Sequence, residues 1–318
     1  MNRYHFTFLL ALLPLMGLIS LGCPSNNSTS PSAPTSTPTA PYSLGISFGL
    51  SSSITMNGPE GVAISGATLW VTNQGNSGNG NNSLQAWSTT GGAITQIITF
   101  NTSDNFSRPY GLAIGPDGYV YVGDSGHNRI VEFDPLGAYV TVFGSAQLGT
   151  DTSYGVAVDS TYVFVTDEII NGVIRFTIAG SGNSKTFGSP ITFSANGVPN
   201  AYTSDITLDT SGNPYVLLPQ DQEVVKYTSA GVSQMAVTQG IAAAGGVAVD
   251  GTGNLFVAQI GPGIIPTPSV NQYSPSGGLL NSYANGLLSN PGHLALDASG
   301  NLYVADGSHN QIVVLKRN

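Results

Sequence analysis

The stretch GLAIGPDGYVYVGDSGHNRIVEF, residues 111–133, returns near the end of the chain as HLALDASGNLYVADGSHNQIVVL, residues 293–315. Both copies carry an aliphatic–Ala–aliphatic triplet, turn through a Gly-containing segment and continue with a Tyr-Val pair. They begin 182 residues apart in a chain of 318. Self-similarity over such a distance indicates a repeat architecture.

The core of this pattern occurs six times along the chain. The copies are GVAISGATLWV from Gly61, GLAIGPDGYVYV from Gly111, GVAVDSTYVFV from Gly155, DITLDTSGNPYV from Asp205, GVAVDGTGNLFV from Gly246 and HLALDASGNLYV from His293. They are spaced by 50, 44, 50, 41 and 47 residues. Periods of this length are typical of propellers and solenoids.

The second copy shows what one repeat contains. Four segments rich in β-branched and aromatic residues, at 112–114, 119–122, 129–133 and 138–143, are separated by the turns GPDG, DSGHN and DPLG. Gly and Pro recur too often for a helical period to be sustained. Six repeats of four strands predict an all-β fold, a six-bladed propeller of four-stranded antiparallel blades.

The two ends of the repeat array predict how the ring closes. The last copy stops after its third strand, and an unassigned apolar segment at 44–48 precedes the first copy. Phe48 precedes Gly61 much as Phe143, at the end of a fourth strand, precedes Gly155. We therefore expect 44–48 to supply the fourth strand of the last blade, which leaves no open sheet edge within the ring.

Residues 109–130 and 291–312 resemble the NHL repeat, whose pattern is Pro-x-Gly-aliphatic-Ala-aliphatic-Asp-x-x-Gly-Asn-aliphatic-Tyr-Val-x-Asp followed by Gly-Asn-His-Arg-Ile. The resemblance covers 58–318 and is weakest in the fourth copy, at 217–219. It implies the propeller fold and leaves the activity open, because family members include peptidylglycine lyases, extracellular sensor domains and RNA-binding domains. Streptogramin lyases and gluconolactonase-like enzymes share the six-bladed form. Fold alone therefore assigns no chemistry.

The composition narrows the choice of partners. Charged residues make up only 8% of the chain, the formal net charge is −9, and no Lys/Arg cluster occurs. A protein that binds nucleic acid needs clustered cations, so a nucleic-acid partner is not expected. The expected state is a monomer.

The first 22 residues have the features of an export signal. Arg3 precedes an apolar run at 6–19, which is too short to span a bilayer comfortably. The run ends in Ser20-Leu21-Gly22-Cys23, which resembles the lipobox of bacterial lipoproteins, although the usual Leu three residues before the Cys is here Ser20. The resemblance implies a lipidated Cys23 and a cell-surface, outer-membrane or periplasmic location. An ordinary signal peptide or an uncleaved anchor is the alternative.

The segment after Cys23 predicts a tether. In 24–41, fourteen of eighteen residues are Pro, Ser or Thr, and none is charged. Such a segment cannot bury enough apolar surface to fold. The expected organisation is therefore a signal peptide at 1–22, a lipidated tether at 23–41 and a propeller at 42–318.

The loops that lead into the inner strands mark the channel mouth, where propellers commonly place ligands. Two residues per blade lie there: Glu60-Gly61, Tyr110-Gly111, Tyr154-Gly155, Ser204-Asp205, Gly245-Gly246 and Gly292-His293. In four copies the second residue of the pair is Gly, so Asp205 and His293 are the departures from the pattern. The candidate ligand-binding residues are Glu60, Tyr110, Tyr154, Asp205 and His293.

Two enzymatic alternatives follow from the resemblance. The zinc-dependent lyases carry His at the first position of these pairs, and this chain has none there, so a three-His zinc site is not expected. A divalent cation such as Ca²⁺, held by Glu60, Asp205 and His293, is the alternative, and it resembles the acidic channel site of gluconolactonase-like enzymes. His127 and His309 lie in equivalent turns and are interpreted as structural.

A second set of polar residues ends the second strands. Its members are Asn73, Asp124, Asp167, Leu218, Gln259 and Asp306, and the acids are expected to accept hydrogen bonds from the turn that follows. Two long loops, 73–82 and 259–269, lie on the same face and predict a variable recognition surface. The main hypothesis is a lipid-anchored module that binds a protein, peptide or glycan. A metal-dependent lyase or lactonase is the rival, and a purely architectural surface protein is the third alternative.

Overall fold

The computed structural model describes residues 41–49, 54–75, 82–102, 104–150, 155–194, 203–241, 243–261 and 267–318. Six four-stranded antiparallel sheets lie within these residues. Five of the sheets are built from four consecutive strands, and the sixth joins both ends of the described chain. The fold is the six-bladed all-β propeller that the repeats predict.

We number the blades by the order of their inner strands. The first strand along the chain is β1 (Tyr42–Phe48). Blade I holds β2 (Pro59–Ser65), β3 (Thr68–Asn73), β4 (Ser83–Ser88) and β5 (Ala93–Ile97), and a small hairpin of β6 (Thr99–Phe100) and β7 (Asp104–Asn105) follows it. Blade II holds β8 (Pro109–Ile114), β9 (Val120–Asp124), β10 (Arg129–Phe133) and β11 (Tyr139–Phe143), and blade III holds β12 (Val156–Val158), β13 (Tyr162–Asp167), β14 (Gly172–Ala179) and β15 (Thr186–Ser194).

The second half continues the same order. Blade IV holds β16 (Ile206–Leu208), β17 (Pro214–Leu218), β18 (Glu223–Tyr227) and β19 (Ser233–Val237); blade V holds β20 (Ala244–Val249), β21 (Leu255–Gln259), β22 (Ser269–Tyr273) and β23 (Leu279–Tyr283); blade VI holds β24 (Pro291–Leu296), β25 (Leu302–Asp306) and β26 (Gln311–Arg317). Within the described residues, short 3-10 turns lie at Ser125–His127, Gly182–Ser184 and Gly307–His309.

Strand β1 completes blade VI. It pairs antiparallel with β26, from Tyr42 opposite Arg317 to Phe48 opposite Ile312. The predicted closure by an N-terminal strand is thus confirmed, and the strand begins two residues earlier than expected. The added Tyr42 is buried, packs its ring against Phe256 and Tyr283, and donates its hydroxyl hydrogen to the Gly300 carbonyl.

The hydrophobic core lies between the blades. Each inner strand contacts the inner strands of both neighbouring blades, and β24 contacts β2, so the ring is closed around a central channel. Buried side chains form clusters between successive blades; one joins blades I and II through Trp70 and Phe133, and another joins blades VI and I through Trp87 and Tyr303. This packing fixes where every inner strand begins and so positions the channel mouth.

No helix in the described part of the chain has the length and hydropathy needed to span a bilayer. The predicted signal peptide, Cys23 and nearly all of the tether lie outside the described residues. Their assignments therefore stay predictions.

Candidate functional site at the channel mouth

Glycine at the start of the inner strands is required by the close approach of the next blade. A Cβ on Gly246 would lie 2.6 Å from the Gly292 carbonyl oxygen and 2.7 Å from the Cα of His293. A Cβ on Gly155 would lie 2.8 Å from the Cα of Asp205. Backbone atoms at these distances leave no room for a side chain. The repeat therefore uses glycine here for packing, and a larger residue at the equivalent position needs space of its own.

The two residues that replace this glycine contact each other. The Asp205 carboxylate lies 3.2 Å from Nδ1 of His293, and both side chains are about 95% buried. Asp205 also accepts hydrogen bonds from the backbone N–H groups of Ile206 and Val247, each at 2.8 Å. Since Val247 belongs to blade V, this one carboxylate connects blades IV, V and VI at the mouth.

The pKa of Asp205 follows from its surroundings. Burial raises the pKa of Asp205 above its usual value, while His293 and the two backbone N–H groups oppose the rise. A carboxylate facing Nδ1 places the imidazole proton on that nitrogen and leaves Nε2 as an acceptor. Among the described residues, the buried Nε2 of His293 has no hydrogen-bond partner. It therefore offers an unused polar atom inside the channel.

The pair lies at one end of a central cavity of about 280 Å³. Below Asp205 and His293, the cavity is lined by residues of the six inner strands, such as Val62, Leu112 and Leu294, and most of the surface exposed to it is polar. Its volume is close to the lower limit for small-molecule pockets. The channel can therefore hold a group the size of a side chain next to one polar pair.

Tyr110 covers the imidazole from the side of blade II. Its ring lies 4.9 Å from the His293 ring, measured between centroids, in an edge-on arrangement. Burial raises the pKa of Tyr110, and the negative charges of Glu60, Asp205 and Glu168 raise it further. The phenol therefore stays protonated and can donate a hydrogen bond at any physiological pH.

Glu60 adds a second carboxylate beside that of Asp205 at the mouth. Its carboxylate lies close to blade VI, since a Cβ on Gly292 would be 3.5 Å from Oε2. Burial raises the pKa of Glu60 to about 7. Burial is the sole cause of this shift and no hydrogen bond from a described residue opposes it, so Glu60 changes charge near neutral pH without a protein partner to hold it ionised.

Four of the five predicted mouth residues thus lie together: Glu60, Tyr110, Asp205 and His293. Tyr154 lies outside the described residues, as do the central parts of the two long loops, at 76–81 and 262–266. The sequence analysis missed Glu168, which directly follows the end of β13 and lies within electrostatic range of Tyr110. Extending the alignment of second-strand ends by one residue would have found it.

A metal site at the mouth is not evident from the geometry. Within the part of the chain that the structure describes, no group of three or more His, Cys, Asp or Glu side chains is arranged to hold a metal ion. Glu60, Asp205 and His293 share one end of the channel, but they do not converge as three ligands.

The acids that end the second strands have structural partners. Asp167 accepts hydrogen bonds from the N–H groups of Ile169 and Ile170 in the following turn, as predicted. All three acids also accept from the segment that leads into their own inner strand: Asp167 from Gly149, Asp124 from Ser107, and Asp306 from Ser289 and Asn290. The acids therefore connect the end of the second strand to the entry of the inner strand.

His127 and His309 belong to the same arrangement. Nδ1 of His127 lies 2.9 Å from Asp124, and Nδ1 of His309 lies 2.7 Å from Asp306. In blade II, Arg129 adds a contact to Asp124 and a two-pronged ion pair with Asp104. These contacts agree with a structural role for both histidines.

Comparison with known proteins supports the fold. The NHL repeat model matches residues 106–133. A search of the curated proteins finds no match. Among solved structures, a streptogramin B lyase is similar with 15% identity and a TM-score of 0.60, covering 87% of this chain and 98% of that one.

Two further solved structures are similar to this chain in fold. A catalytically inactive virginiamycin B lyase from Staphylococcus aureus, with quinupristin, is 17% identical with a TM-score of 0.60, covering 87% of this chain and 86% of that one. A nidogen/laminin complex is 16% identical with a TM-score of 0.58, covering 76% and 86%. At these identities the likeness concerns the fold alone, and it includes both an enzyme and a binding protein.

Proposed function

We propose that this six-bladed propeller is an exported, lipid-anchored module that binds a peptide, protein or glycan through its channel mouth. The observation that supports it best is the convergence of Glu60, Tyr110, Asp205 and His293, which combines an aromatic ring with polar atoms that the protein leaves unused. Such a combination is typical of recognition sites. The acidic net charge is in keeping with a partner other than nucleic acid.

The binding proposal is tested with arrays of synthetic peptides and glycans probed by residues 42–318. Replacing Tyr110 by Ala removes the aromatic wall, and we expect the signal of any true ligand to fall about tenfold, a loss of about 1.4 kcal/mol. Thr210→Ala is the matched control, because Thr210 is exposed in the turn between β16 and β17, at the opposite end of the strands from the mouth. Retention of all signals by the Tyr110 variant would exclude the mouth as the binding surface.

The lipid anchor is tested separately. Cys23→Ser removes the only cysteine, and therefore the only thiol that can be acylated. Metabolic labelling with a fatty acid and membrane fractionation should show a labelled, membrane-bound protein that becomes unlabelled and soluble in the variant. Unchanged fractionation and absent label in both proteins would contradict the lipoprotein assignment.

An enzymatic function of the lyase or lactonase type is the second candidate. It is favoured by the Asp205–His293 pair, in which a buried carboxylate orients an imidazole and leaves Nε2 unpartnered. A histidine held in this way can act as a general base or acid. A divalent cation at the mouth would need ligands beyond Glu60, Asp205 and His293.

Turnover and metal content distinguish the two candidates. Purified residues 42–318, prepared without chelators, are assayed for bound metal by mass spectrometry and for cleavage of quinupristin and simple lactones. The enzymatic candidate expects turnover that falls at least about a hundredfold in His293→Ala. Equal rates in the wild type and the variant, or no turnover at all, would leave binding as the function.

A further inference from the structure

The central channel is lined by the edges of sheets. Each of the six inner strands lies at one end of its sheet, so it is paired on one side only. The backbone N–H and C=O groups on its other side face the channel, and the N–H of Val247 shows this by donating to the Asp205 carboxylate of the neighbouring blade. A buried backbone polar group is almost always hydrogen-bonded, either to protein or to water. The channel wall therefore needs hydrogen-bond partners along its length.

The surface of the channel cavity is suited to water. Most of the surface exposed to the cavity is polar, although its lining side chains are Val, Ile, Leu and Ala apart from Asp205, Thr207 and His293. The backbone therefore supplies much of the polar surface. The cavity volume of about 280 Å³ is several times the roughly 30 Å³ that one water molecule occupies in the liquid. Polar walls around a volume of this size favour water over an apolar occupant.

The two ends of the cavity differ in their exposure to solvent. At the mouth end the lining includes Asp205 and His293, which are both buried. At the other end, where the inner strands finish, each strand contributes one aliphatic residue that is partly exposed. These six residues are Ile64, Ile114, Val158, Leu208, Val249 and Leu296. Solvent therefore reaches the channel at this end, which we call the far opening.

His293 supplies a hydrogen-bond acceptor at the buried end of the cavity. Because the Asp205 carboxylate lies 3.2 Å from Nδ1, the imidazole proton is on that nitrogen and Nε2 keeps its lone pair. Nε2 is buried, and no described residue donates a hydrogen bond to it. A buried acceptor of this kind is commonly satisfied by an ordered water molecule.

We infer that the channel is a water-filled passage that connects the far opening with the imidazole of His293. Water donates a hydrogen bond to Nε2 at the inner end, and the free backbone groups of the inner strands bind further water molecules along the way. Water and protons thus reach the Asp205–His293 pair from the face opposite the mouth, also while a ligand covers the mouth. The passage goes beyond the proposed function, because it does not depend on what the mouth binds.

The passage is tested by blocking the far opening chemically. Residues 42–318 contain all six blades and no cysteine, so Val249→Cys places a single thiol at the opening, to which benzyl methanethiosulfonate attaches a bulky group. Exchange of the imidazole Cε1–H of His293 for deuterium in D2O, measured by mass spectrometry, reports the access of water to the ring. We expect the attached group to slow this exchange at least about tenfold. Exchange in His127 and His309, whose side chains are exposed, should stay unchanged.

Ser276→Cys, treated with the same reagent, is the matched control. Ser276 is exposed in the turn between β22 and β23 of the same blade, on the same face as the far opening but at the outer side of the blade. In the labelled Ser276 variant and in the unlabelled Val249 variant, His293 should exchange as in the unmodified domain. Unfolding would speed the exchange in His293, so a misfolded variant cannot produce the expected result.

Three results would overturn the passage. If the thiol of the Val249 variant does not react in the folded domain, the far opening is closed to solvent. If it reacts and the exchange in His293 is unchanged, water reaches the imidazole from the mouth. If His293 shows no exchange before labelling, no water reaches the ring. None of these results affects the binding function, which the peptide and glycan arrays and the Tyr110 variant test separately.

Discussion

The carboxylate of Asp205 in blade IV lies 3.2 Å from the imidazole of His293 in blade VI, with the backbone N–H of Val247 in blade V bound to the same carboxylate. Three blades therefore share one buried side chain at the mouth. A polar contact at this depth is costly to disrupt, since each remaining partner would be left buried and unpaired.

Replacing Asp205 by Ala should lower the free energy of unfolding by about 3 kcal/mol, because His293 and the Val247 N–H lose their acceptor. Asp205→Asn keeps an oxygen acceptor and should cost about 1 kcal/mol. Equilibrium urea denaturation at pH 7 measures both. Equal, small losses of unfolding free energy in both variants would show that the Asp205–His293 contact does not stabilise the fold.

The stability of the domain should depend on Glu60 near neutral pH. Burial raises the pKa of Glu60 from its ordinary value of 4.5 to about 7, so the fold favours the protonated form. This contribution is fully present below the unfolded pKa and is lost as the pH rises through about 7. Asp205 shifts in the same direction.

Glu60→Gln should therefore stabilise the domain by about 2 kcal/mol at pH 8 and by almost nothing at pH 4. Urea denaturation of both proteins at the two pH values checks the sign. A variant that is less stable than the wild type at pH 8 would show that the ionised carboxylate is stabilised in the fold by a contact that burial alone does not describe.

Close approach of blades V and VI should make Gly246 intolerant of a side chain. In Gly246→Ala the new methyl group would meet the Gly292 carbonyl at 2.6 Å, which forces the inner strands apart and should cost about 3 kcal/mol. Gly251→Ala is the matched control, because a Cβ there meets nothing within 4 Å. It should change the stability by less than about 0.5 kcal/mol. Similar stabilities of the two variants would contradict this account of the repeat glycine.

Ring closure should depend on Tyr42. Its ring is buried between Phe256 and Tyr283, and its hydroxyl reaches the Gly300 carbonyl at 2.9 Å. Tyr42→Ala should cost about 3–5 kcal/mol and increase proteolysis of β1. The neighbouring Ser43→Ala, which loses only an exposed hydrogen bond to Asn318, is the control and should behave like the wild type. Resistance of the Tyr42 variant to proteolysis would show that backbone pairing with β26 is sufficient for closure.

The sequence contains most of the information on the fold because each blade repeats the same turns and strand lengths. It identified the six blades, the closing strand and the four mouth residues that the structure brings together. The departures from glycine at Asp205 and His293 were visible in the alignment, but their contact was not, because it depends on the curvature of three successive blades.

Side-chain contacts between blades could not be predicted from the sequence either. Lys185 in the segment before β15 is buried and pairs with Glu132 of β10 at 2.8 Å, and with Asp117, while its Nζ lies 3.2 Å from the centre of the Tyr119 ring. Nothing in the repeat pattern marks Lys185, since it lies in a turn that only blade III has in this form. Its partner is 53 residues away, at a distance that only the packing of blades II and III sets.

The pairing of β1 with β26 also determines when the protein can finish folding. Tyr42 and Arg317, opposite each other in one sheet, are separated by almost the whole length of the chain during synthesis. Blades I to V can form in sequence as the chain emerges, but the first strand has to wait until the last has been made. Until then the apolar residues of β1 and one face of blade I are exposed to solvent. We therefore expect a truncated or stalled chain to expose apolar surface and to be bound by chaperones or degraded by proteases.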